Sequence, residues 1–376
     1  MPLVSTYSTR SLTIGIIASI PLSNAVPYRL QKRGPSSAIT NLGNFPDPSI
    51  ITVGGTYYAF GTNGAGGHIQ TGASNNFGNP GSWSPLGDAM PNLASWIDGG
   101  SPNVWAPSVI QFVSPRLILL TGHKTHGLPL QGDYDNSYGI YYTASLAGDA
   151  STHCIGLARS SSSVTGPYSD GATYAFICPT GNFQCDNVNR GGAIDPASFR
   201  DKDGSWYIVY KEDGPSLCSG GVAGGYPVTS AMQCSHTRLM LQKVGNDGYS
   251  GVTCDNPPVA LYDNAGASDK YNIEAPSIVL SSDGLTYFLF FSSGVYNDES
   301  YTVSYVTSTN GVAGPYGNRQ TLLAQGSYGL NSPGGLQMQL VDALAVFHGD
   351  SAADNDNTRW MYTATINWNG QTCSIA

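Results

Sequence analysis

The chain alternates short segments rich in aromatic and β-branched residues with clusters of Gly, Asp and Ser, a pattern typical of antiparallel strands joined by turns. The strand-like segments are Thr56–Thr62, Arg116–Gly122, Tyr138–Ser145, Ser205–Lys211, Thr237–Val244, Leu285–Phe291, Tyr301–Thr307 and Arg359–Ile366. No segment sustains an amphipathic helical period of convincing length. The pattern therefore predicts an all-β protein.

A short proline motif recurs ahead of apolar strands. The four clear copies are Asp47-Pro48-Ser49, Ala106-Pro107-Ser108, Asp195-Pro196-Ala197-Ser198 and Ala275-Pro276-Ser277, and a degenerate fifth is Ser332-Pro333-Gly334. The copies lie roughly 60 to 90 residues apart, about the length of one four-stranded blade with long loops. The repeat predicts a single-domain five-bladed β-propeller, in which the starts of the inner strands converge on one mouth. Chance recurrence in a chain with 23 prolines is the alternative.

Composition narrows the class of protein. Only 11% of the residues are charged, the formal net charge is −9, and Gly (47), Pro (23) and Tyr (23) are abundant. Low charge with an acidic balance excludes a basic nucleic-acid binder, a coiled coil and a charge-driven disordered chain. The acidic balance also suits neutral substrates better than phosphates. We expect no nucleic-acid or membrane partner, and a monomer.

The first residues have the features of export and processing signals. A short apolar stretch, Ser11 to Leu22, precedes the small residues Ser23-Asn24-Ala25, which predicts a secretory signal peptide over residues 1–25. The dibasic pair Lys32-Arg33 predicts a propeptide over residues 26–33 and a mature catalytic domain over 34–376. The alternative is a buried N-terminal helix. The expected location is secreted and extracellular.

Seven cysteines in an exported chain indicate disulfides, and the odd number leaves at least one unpaired. Cys178 and Cys185 bracket a short loop and are the expected pair, and Cys218 with Cys234 is a second, weaker pairing. No spacing resembles a zinc site.

Three acids stand inside the repeated motif, namely Asp47, Asp195 and Glu274. Carboxylates that converge on one mouth repel one another, which raises at least one pKa and leaves one group an acid while another is a base. Hydrolysis of a glycosidic bond needs such a pair. The alternative is that the acids cap turns by accepting backbone N–H groups.

The motifs "NFPDPSII…GGTYYAFGT", "NVWAPSVI", "GGAIDPASFRDKDGSWYIVYKEDG" and "IEAPSIVLSSDGLTYFLFFSSGVY" resemble, in order and spacing, those of glycoside hydrolase family 43. The resemblance runs from about Asn44 to Tyr316. It implies a five-bladed propeller and an inverting mechanism, with Asp47 as general base and Glu274 as general acid. By the same resemblance, Asp195 raises the pKa of the general acid and orients it.

The resemblance also suggests residues around the acids. Trp105 is similar to the family's tryptophan beside the reacting sugar, and Phe45 is a candidate apolar wall, although either could be a core residue. The family often holds a metal on the propeller axis near a histidine, which makes His348 the candidate for a structural calcium site. The absence of a histidine in Ser332-Pro333-Gly334-Gly335 departs from the pattern, and a hydrogen-bonded structural His348 is the alternative. No cofactor is expected to be required, and His153 is expected to be structural.

Substrate choice remains open between related pentosides in plant cell-wall polysaccharide or oligosaccharide. An exo-acting arabinofuranosidase or related arabinan-degrading activity is the leading hypothesis, followed by β-xylosidase and endo-arabinanase. A retaining hydrolase of the invertase and levansucrase type disagrees with the residues around Asp47 and Glu274. A non-catalytic carbohydrate-binding propeller is the alternative from a different class, and three crowded carboxylates argue against it.

Overall fold

The computed structural model describes residues 34–112, 137–178, 192–213, 237–253, 255–339, 343–351 and 358–376. These residues form 19 β-strands in five antiparallel sheets. Helical structure in the described ranges is confined to short 3₁₀ turns at Thr40–Leu42, Pro80–Ser82, Gly266–Asp269 and Ser327–Gly329, and none is long and apolar enough to cross a membrane. The predicted all-β class is confirmed. Residues 1–33, with the predicted leader and propeptide, lie outside the described residues.

Each sheet is one blade, with its strands in sequence order from the inside outward. Blade 1 contains β1 (Ser49–Val53), β2 (Thr56–Gly61), β3 (Gln70–Ser74) and β4 (Ser84–Asp88). Blade 2 contains β5 (Val104–Gln111), β6 (Tyr138–Leu146) and β7 (Asp149–Ser160). Blade 3 contains β8 (Gly192–Arg200), β9 (Trp206–Asp213), β10 (Arg238–Val244) and β11 (Val259–Asp263).

The last two blades follow the same order. Blade 4 contains β12 (Ile273–Leu280), β13 (Tyr287–Ser293), β14 (Thr302–Ser308) and β15 (Gly317–Leu323). Blade 5 contains β16 (Asn331–Gln339), β17 (Leu344–Asp350), β18 (Arg359–Asn369) and β19 (Thr372–Ile375). Seven of the expected strand segments overlap β2, β6, β9, β10, β13, β14 and β18, and the eighth, Arg116–Gly122, lies outside the described residues.

The five blades close into a ring. The inner strands contact one another in the order β1, β5, β8, β12 and β16, and β16 returns to β1. Five clusters of buried apolar side chains fill the spaces between successive blades. The N-terminal segment completes the closure, because Gly34 donates to the carbonyl of Ala376, and Ile39 and Phe45 donate to the carbonyls of Met361 and Arg359. The predicted five-bladed β-propeller is confirmed.

A left-handed residue marks the start of every inner strand. Asp47 (φ 50°), Ala106 (φ 46°), Asp195 (φ 58°) and Ala275 (φ 49°) all precede the motif proline, and a β-bulge follows wherever the residue lies within the strand. In blade 5 the equivalent residue is Gly335 (φ 62°). The residue before it, Gly334, pairs with His348 on the next strand, just as Trp105, the residue before Ala106, pairs with Thr143 in blade 2. Ser332 in the expected fifth copy is also left-handed (φ 43°) before Pro333, but the strand register and the bond to Ser292 make Gly335, three residues later and without a proline after it, the equivalent residue.

The backbone N–H of the left-handed residue donates a hydrogen bond that joins each blade to the one before it. The N–H of Ala106 donates to Thr62 Oγ1 at 2.9 Å, that of Asp195 to Thr143 Oγ1 at 3.1 Å and that of Gly335 to Ser292 Oγ at 2.9 Å. The N–H of Asp47 donates to His348 Nδ1 at 3.0 Å. The N–H of Ala275 instead donates to Asp195 Oδ2 at 2.9 Å. The five joints fix the mouth, because a buried N–H left without a partner would cost about 1–3 kcal/mol.

The disulfide differs from the sequence expectation. Cys154 on β7 is bonded to Cys178, with 4.7 Å between their Cα atoms, so the predicted pairing of Cys178 with Cys185 is wrong. The reason is that Ile155 and Ile177 form an antiparallel bridge, which brings their neighbours together across the outer edge of blade 2. Cys373 is free, whereas Cys185, Cys218 and Cys234 lie outside the described residues.

Candidate active site

The predicted acids occupy two positions of the repeated inner strand. Asp47 and Asp195 are themselves left-handed residues, a conformation that Asp tolerates better than most residues. Glu274 lies one residue earlier, before Ala275, and Trp105 has the same place before Ala106. Since every inner strand begins at the same end of the propeller, the four side chains belong to one mouth.

Direct contacts connect Glu274 to Asp47 across this mouth. Tyr301 Oη donates to Glu274 Oε1 at 2.8 Å, and its ring stacks on that of His348 with 5.8 Å between centroids. His348 in turn accepts the N–H of Asp47. Gly334 and Gly335 make room for the two rings, because a Cβ at Gly334 would lie 1.8 Å from Tyr301 and one at Gly335 would lie 2.6 Å from His348.

The surroundings of Asp47 favour a carboxylate that stays ionised. Its side chain is 20% exposed, Thr62 Oγ1 donates to Oδ2 at 2.7 Å, and the Arg359 guanidinium lies 3.3 Å from Oδ1. Burial raises the pKa of Asp47, but the Arg359 charge, the adjacent His348 and the Thr62 hydrogen bond together outweigh burial and hold the pKa below its ordinary value. An ionised, partly exposed carboxylate can take a proton from water.

His348 is neutral and completely buried. Burial, together with the neighbouring Arg359 charge, lowers its pKa to about 3. Because Nδ1 accepts the N–H of Asp47, the proton of the neutral ring is on Nε2, which has no hydrogen-bond partner among the described residues. A protonated nitrogen cannot bind a cation, and the part of the chain that the structure describes has no group of three or more His, Cys, Asp or Glu side chains arranged to hold a metal ion. These residues do not fit a calcium ion bound directly by His348, since calcium prefers 6–8 oxygen ligands.

Glu274 has a cation and a hydroxyl as partners. Lys211 Nζ donates to Oε2 at 3.0 Å, opposite the bond from Tyr301 to Oε1, and 15% of the Glu274 side chain is exposed. Lys211 also lies 3.5 Å from Asp213 Oδ1. Burial lowers the pKa of Lys211, but the carboxyl groups of Glu274, Asp213 and Asp195 raise it by more. The net pKa of Lys211 is therefore raised, and its ammonium stays charged. One cation is therefore shared among three acids.

Asp195 has a raised pKa, in contrast to Asp47 and Asp213, whose pKa values are lowered. Burial raises it first, and the charge of Glu274 raises it further, against the lowering effect of Lys211 and of the bond from the Ala275 N–H. The resemblance predicts an ionised Asp195 beside a protonated general acid. In the structure, burial and the Glu274 charge raise the pKa of Asp195, and Lys211 Nζ bonds Glu274 Oε2 at 3.0 Å. The assignment of the catalytic proton to Glu274 stays a prediction.

The remaining predicted residues differ in exposure. Trp105 is partly exposed and meets the edge of His153 with 5.1 Å between ring centroids. Phe45 is 1% exposed and packs against Gly61 in the cluster between blades 5 and 1, so the structure places it in the core. His153, expected to be structural, bonds Asp213 at 2.7 Å through Nδ1.

Sequence reasoning missed the groups that tune the acids, which are Lys211, Arg359, Tyr301, Thr62 and Asp213. A signal existed for two of them, because Lys211 ends and Arg359 begins a predicted strand in a chain with only 11% charged residues. A charged side chain in such a strand needs a partner. The partner itself was not predictable, since Arg359 and Asp47 are 312 residues apart in sequence.

A five-bladed propeller with three carboxylates at one mouth defines a class of carbohydrate-active proteins, and comparison with known proteins identifies the family. The model of the glycosyl hydrolases family 43 matches residues 40–372, and the chain belongs to this family. The extracellular endo-α-(1→5)-L-arabinanase of Thermotoga petrophila is 28% identical over 180 residues, which cover 44% of this chain and 33% of that protein. The match thus spans about a third of the length of this relative.

Solved structures share the fold. A thermostable family-43 glycoside hydrolase superimposes with a TM-score of 0.64 at 18% identity, over 89% of this chain and 93% of that one. The native Bacillus subtilis arabinanase gives 0.60 at 20% identity, over 91% and 99% of the two chains. The Cellvibrio cellulosa α-L-arabinanase complexed with arabinohexaose also gives 0.60 at 20% identity, over 89% and 95%.

Proposed function

We propose that this protein is a glycosidase that hydrolyses α-L-arabinofuranosyl linkages of plant arabinan in a single inverting displacement. Asp47 is the general base that activates water, and Glu274 is the general acid that protonates the leaving oxygen. Asp195 keeps a proton within the acid pair and orients it. Inversion requires about 6.5–9.5 Å between base and acid, which leaves room for the water.

The observation that carries this proposal is the opposite tuning of the carboxylates at one mouth. The pKa of Asp47 is lowered beside Arg359, whereas the pKa of Asp195 is raised by burial and by Glu274. At one pH the site therefore holds an ionised base and a retained proton, which is the state that general acid–base catalysis uses. A carbohydrate-binding propeller has no use for this separation.

Arabinan is favoured over xylan because the curated relative is named as an arabinanase. That relative is named an endo-acting enzyme, which makes internal cleavage the second candidate beside the exo action expected from the sequence. Trp105, partly exposed beside the acids, is the proposed packing surface for the sugar ring. The proposal needs no cofactor, and the buried Nε2–H of His348 fits a water molecule better than a cation. Export and a mature chain that starts at Gly34 are also proposed, from the leader pattern.

The test is incubation with aryl α-L-arabinofuranoside, aryl β-xyloside and linear arabinan, with products separated by chain length. Arabinose as first product from arabinan supports exo action, and longer oligosaccharides support endo action. Faster release from the xyloside moves the assignment to β-xylosidase. Release from none of the three contradicts the glycosidase proposal and favours a binding protein. Proton NMR of the first anomer released contradicts inversion if the configuration is kept.

A further inference from the structure

The joint between blades 3 and 4 breaks the rule that the other four follow. The residue facing each inner-strand start is Thr62, Thr143, Ser292 or His348, and each of them accepts the N–H of the next blade. In blade 3 this position is Lys211, which lies opposite Ile194 and has no acceptor atom. Asp195 takes over the acceptor role toward Ala275. A cation thus occupies a position at which the fold otherwise uses an acceptor.

The Lys211 ammonium lies between two carboxylates of different blades. Its Nζ is 3.0 Å from Glu274 Oε2 on β12 and 3.5 Å from Asp213 Oδ1 on β9, and the Lys211 and Asp213 side chains are only 7% and 8% exposed. Asp195 on β8 is a third carboxyl group nearby. On the far side of Asp213, His153 on β7 is bonded at 2.7 Å. His153 also touches Trp105, so the chain of contacts runs from the general acid to the proposed sugar surface.

We propose that Lys211 is a positioning residue for the general acid Glu274, and that Asp213, held by His153, limits how strongly Lys211 acts on it. The proposal rests on the proposed function. A buried cation is expensive unless paired, and a Thr or Ser at this position would satisfy the joint as it does elsewhere in the fold. The desolvation cost of burying the Lys211 ammonium is explained if this charge controls the proton that the general acid donates in the reaction.

Two substitutions should move this proton in opposite directions. Removal of the Lys211 charge leaves Glu274 facing Asp195 and Asp213, with Tyr301 as a neutral donor, so the carboxyl pair keeps its proton to higher pH. Removal of the Asp213 charge takes away a neighbouring negative charge and leaves Lys211 to Glu274, so the pair loses its proton at lower pH. A charge at this distance shifts a titration by about 1–3 pH units.

The experiment measures kcat/KM against pH on an aryl pentoside with a poor leaving group, whichever pentoside the unmodified protein hydrolyses. The basic limb should move up by about 1–3 pH units in Lys211→Met and move down in Asp213→Asn. Lys211→Arg keeps the charge and should leave the limb within about half a unit of the original. Glu212→Gln is the matched control, because Glu212 is the next residue on β9 and its ion pair is with Arg238.

The opposite signs separate this role from a structural one. Loss of packing alone lowers activity in both variants without moving the limb, and that result overturns the proposal, as does movement of both limbs in one direction or a shift in Glu212→Gln. If Lys211→Met does not fold, Asp213→Asn and Lys211→Arg decide, since a limb that stays in the first or moves in the second contradicts the proposal. An unmodified protein inactive on every pentoside would refute the proposed function itself, a result visible before any variant is made.

Discussion

The two halves of the mouth are built from the same repeat but carry different charge balances. On the Asp47 side one guanidinium, Arg359, faces one carboxylate, and the nearby His348 is neutral. On the Glu274 side one ammonium, Lys211, is shared by Glu274, Asp213 and Asp195. The pKa of Asp47 is therefore lowered in the first half, whereas the pKa of Asp195 is raised in the second.

This comparison shows that position in the fold does not set the pKa. Asp47 and Asp195 have the same place in the repeat and the same left-handed backbone, and burial raises the pKa of each. Their pKa values move in opposite directions because the side chains contributed by neighbouring blades differ. The role of each carboxylate thus depends on its partners.

The largest expected effect is a loss of activity that depends on the substrate's leaving group in the Glu274 half of the mouth but not in the Asp47 half. Glu274→Gln should lower kcat by about 10²–10⁴-fold on substrates with poor leaving groups and spare most activity on an activated aryl glycoside, which needs no protonation. Asp47→Asn should lower both by a similar factor, because water must be activated in either case. Steady-state kinetics on the two substrates check this. Equal losses of both activities in Glu274→Gln would remove the acid assignment.

The next effect concerns the acidic limb of the pH profile. Arg359 lowers the pKa of Asp47, and the base works only when ionised. Arg359→Met should therefore move the acidic limb of kcat/KM up by about 1–3 pH units, with activity recovered at higher pH. Arg359→Lys, which keeps the charge, is the control. An acidic limb that does not move in Arg359→Met would mean that Arg359 does not set the state of the base.

A third effect is on stability in acid. His348 has a pKa of about 3 in the folded state against 6.5 for the free side chain, so between these pH values the ring binds a proton only in the unfolded state. The His348 contribution to the free energy of unfolding is therefore fully present above pH 6.5 and is lost as the pH drops toward 3. His348→Gln should reduce this loss by roughly a few kcal/mol at pH 4, measured by urea unfolding at pH 7 and pH 4. The same pH dependence in both proteins would contradict a buried neutral ring.

The smallest effects come from single hydroxyls on either side. Tyr301→Phe removes the hydrogen bond to Glu274. It should raise the activation free energy of the kcat step by about 0.5–1.5 kcal/mol, with little change in the free energy of unfolding. Thr62→Val removes a bond to Asp47 and also leaves the Ala106 N–H without its acceptor, so it should lower the free energy of unfolding by about 1–3 kcal/mol. Kinetics and thermal unfolding of both variants test the contrast. A larger stability loss in Tyr301→Phe would reverse it.

Much of the architecture was predictable because it is local. Alternating strands, the four proline motifs and the acids inside them follow from short stretches of sequence. The fifth copy was misplaced because Gly335 adopts the left-handed conformation without a proline. The disulfide was misassigned because Cys154 meets Cys178 through a strand bridge rather than through a short loop.

The fold class, the number of blades and the carboxylates at the inner-strand starts could be read from the chain alone, since each depends on a motif that recurs from blade to blade. The electrostatics of the site depend on contacts that form only in the folded protein. Lys211 and Glu274 are 63 residues apart and meet because blades 3 and 4 pack side by side, whereas Arg359 and Asp47 are 312 apart and meet because blade 5 closes the ring on blade 1. Charge interactions depend on distance in space and on exclusion of water, and neither can be read along the chain.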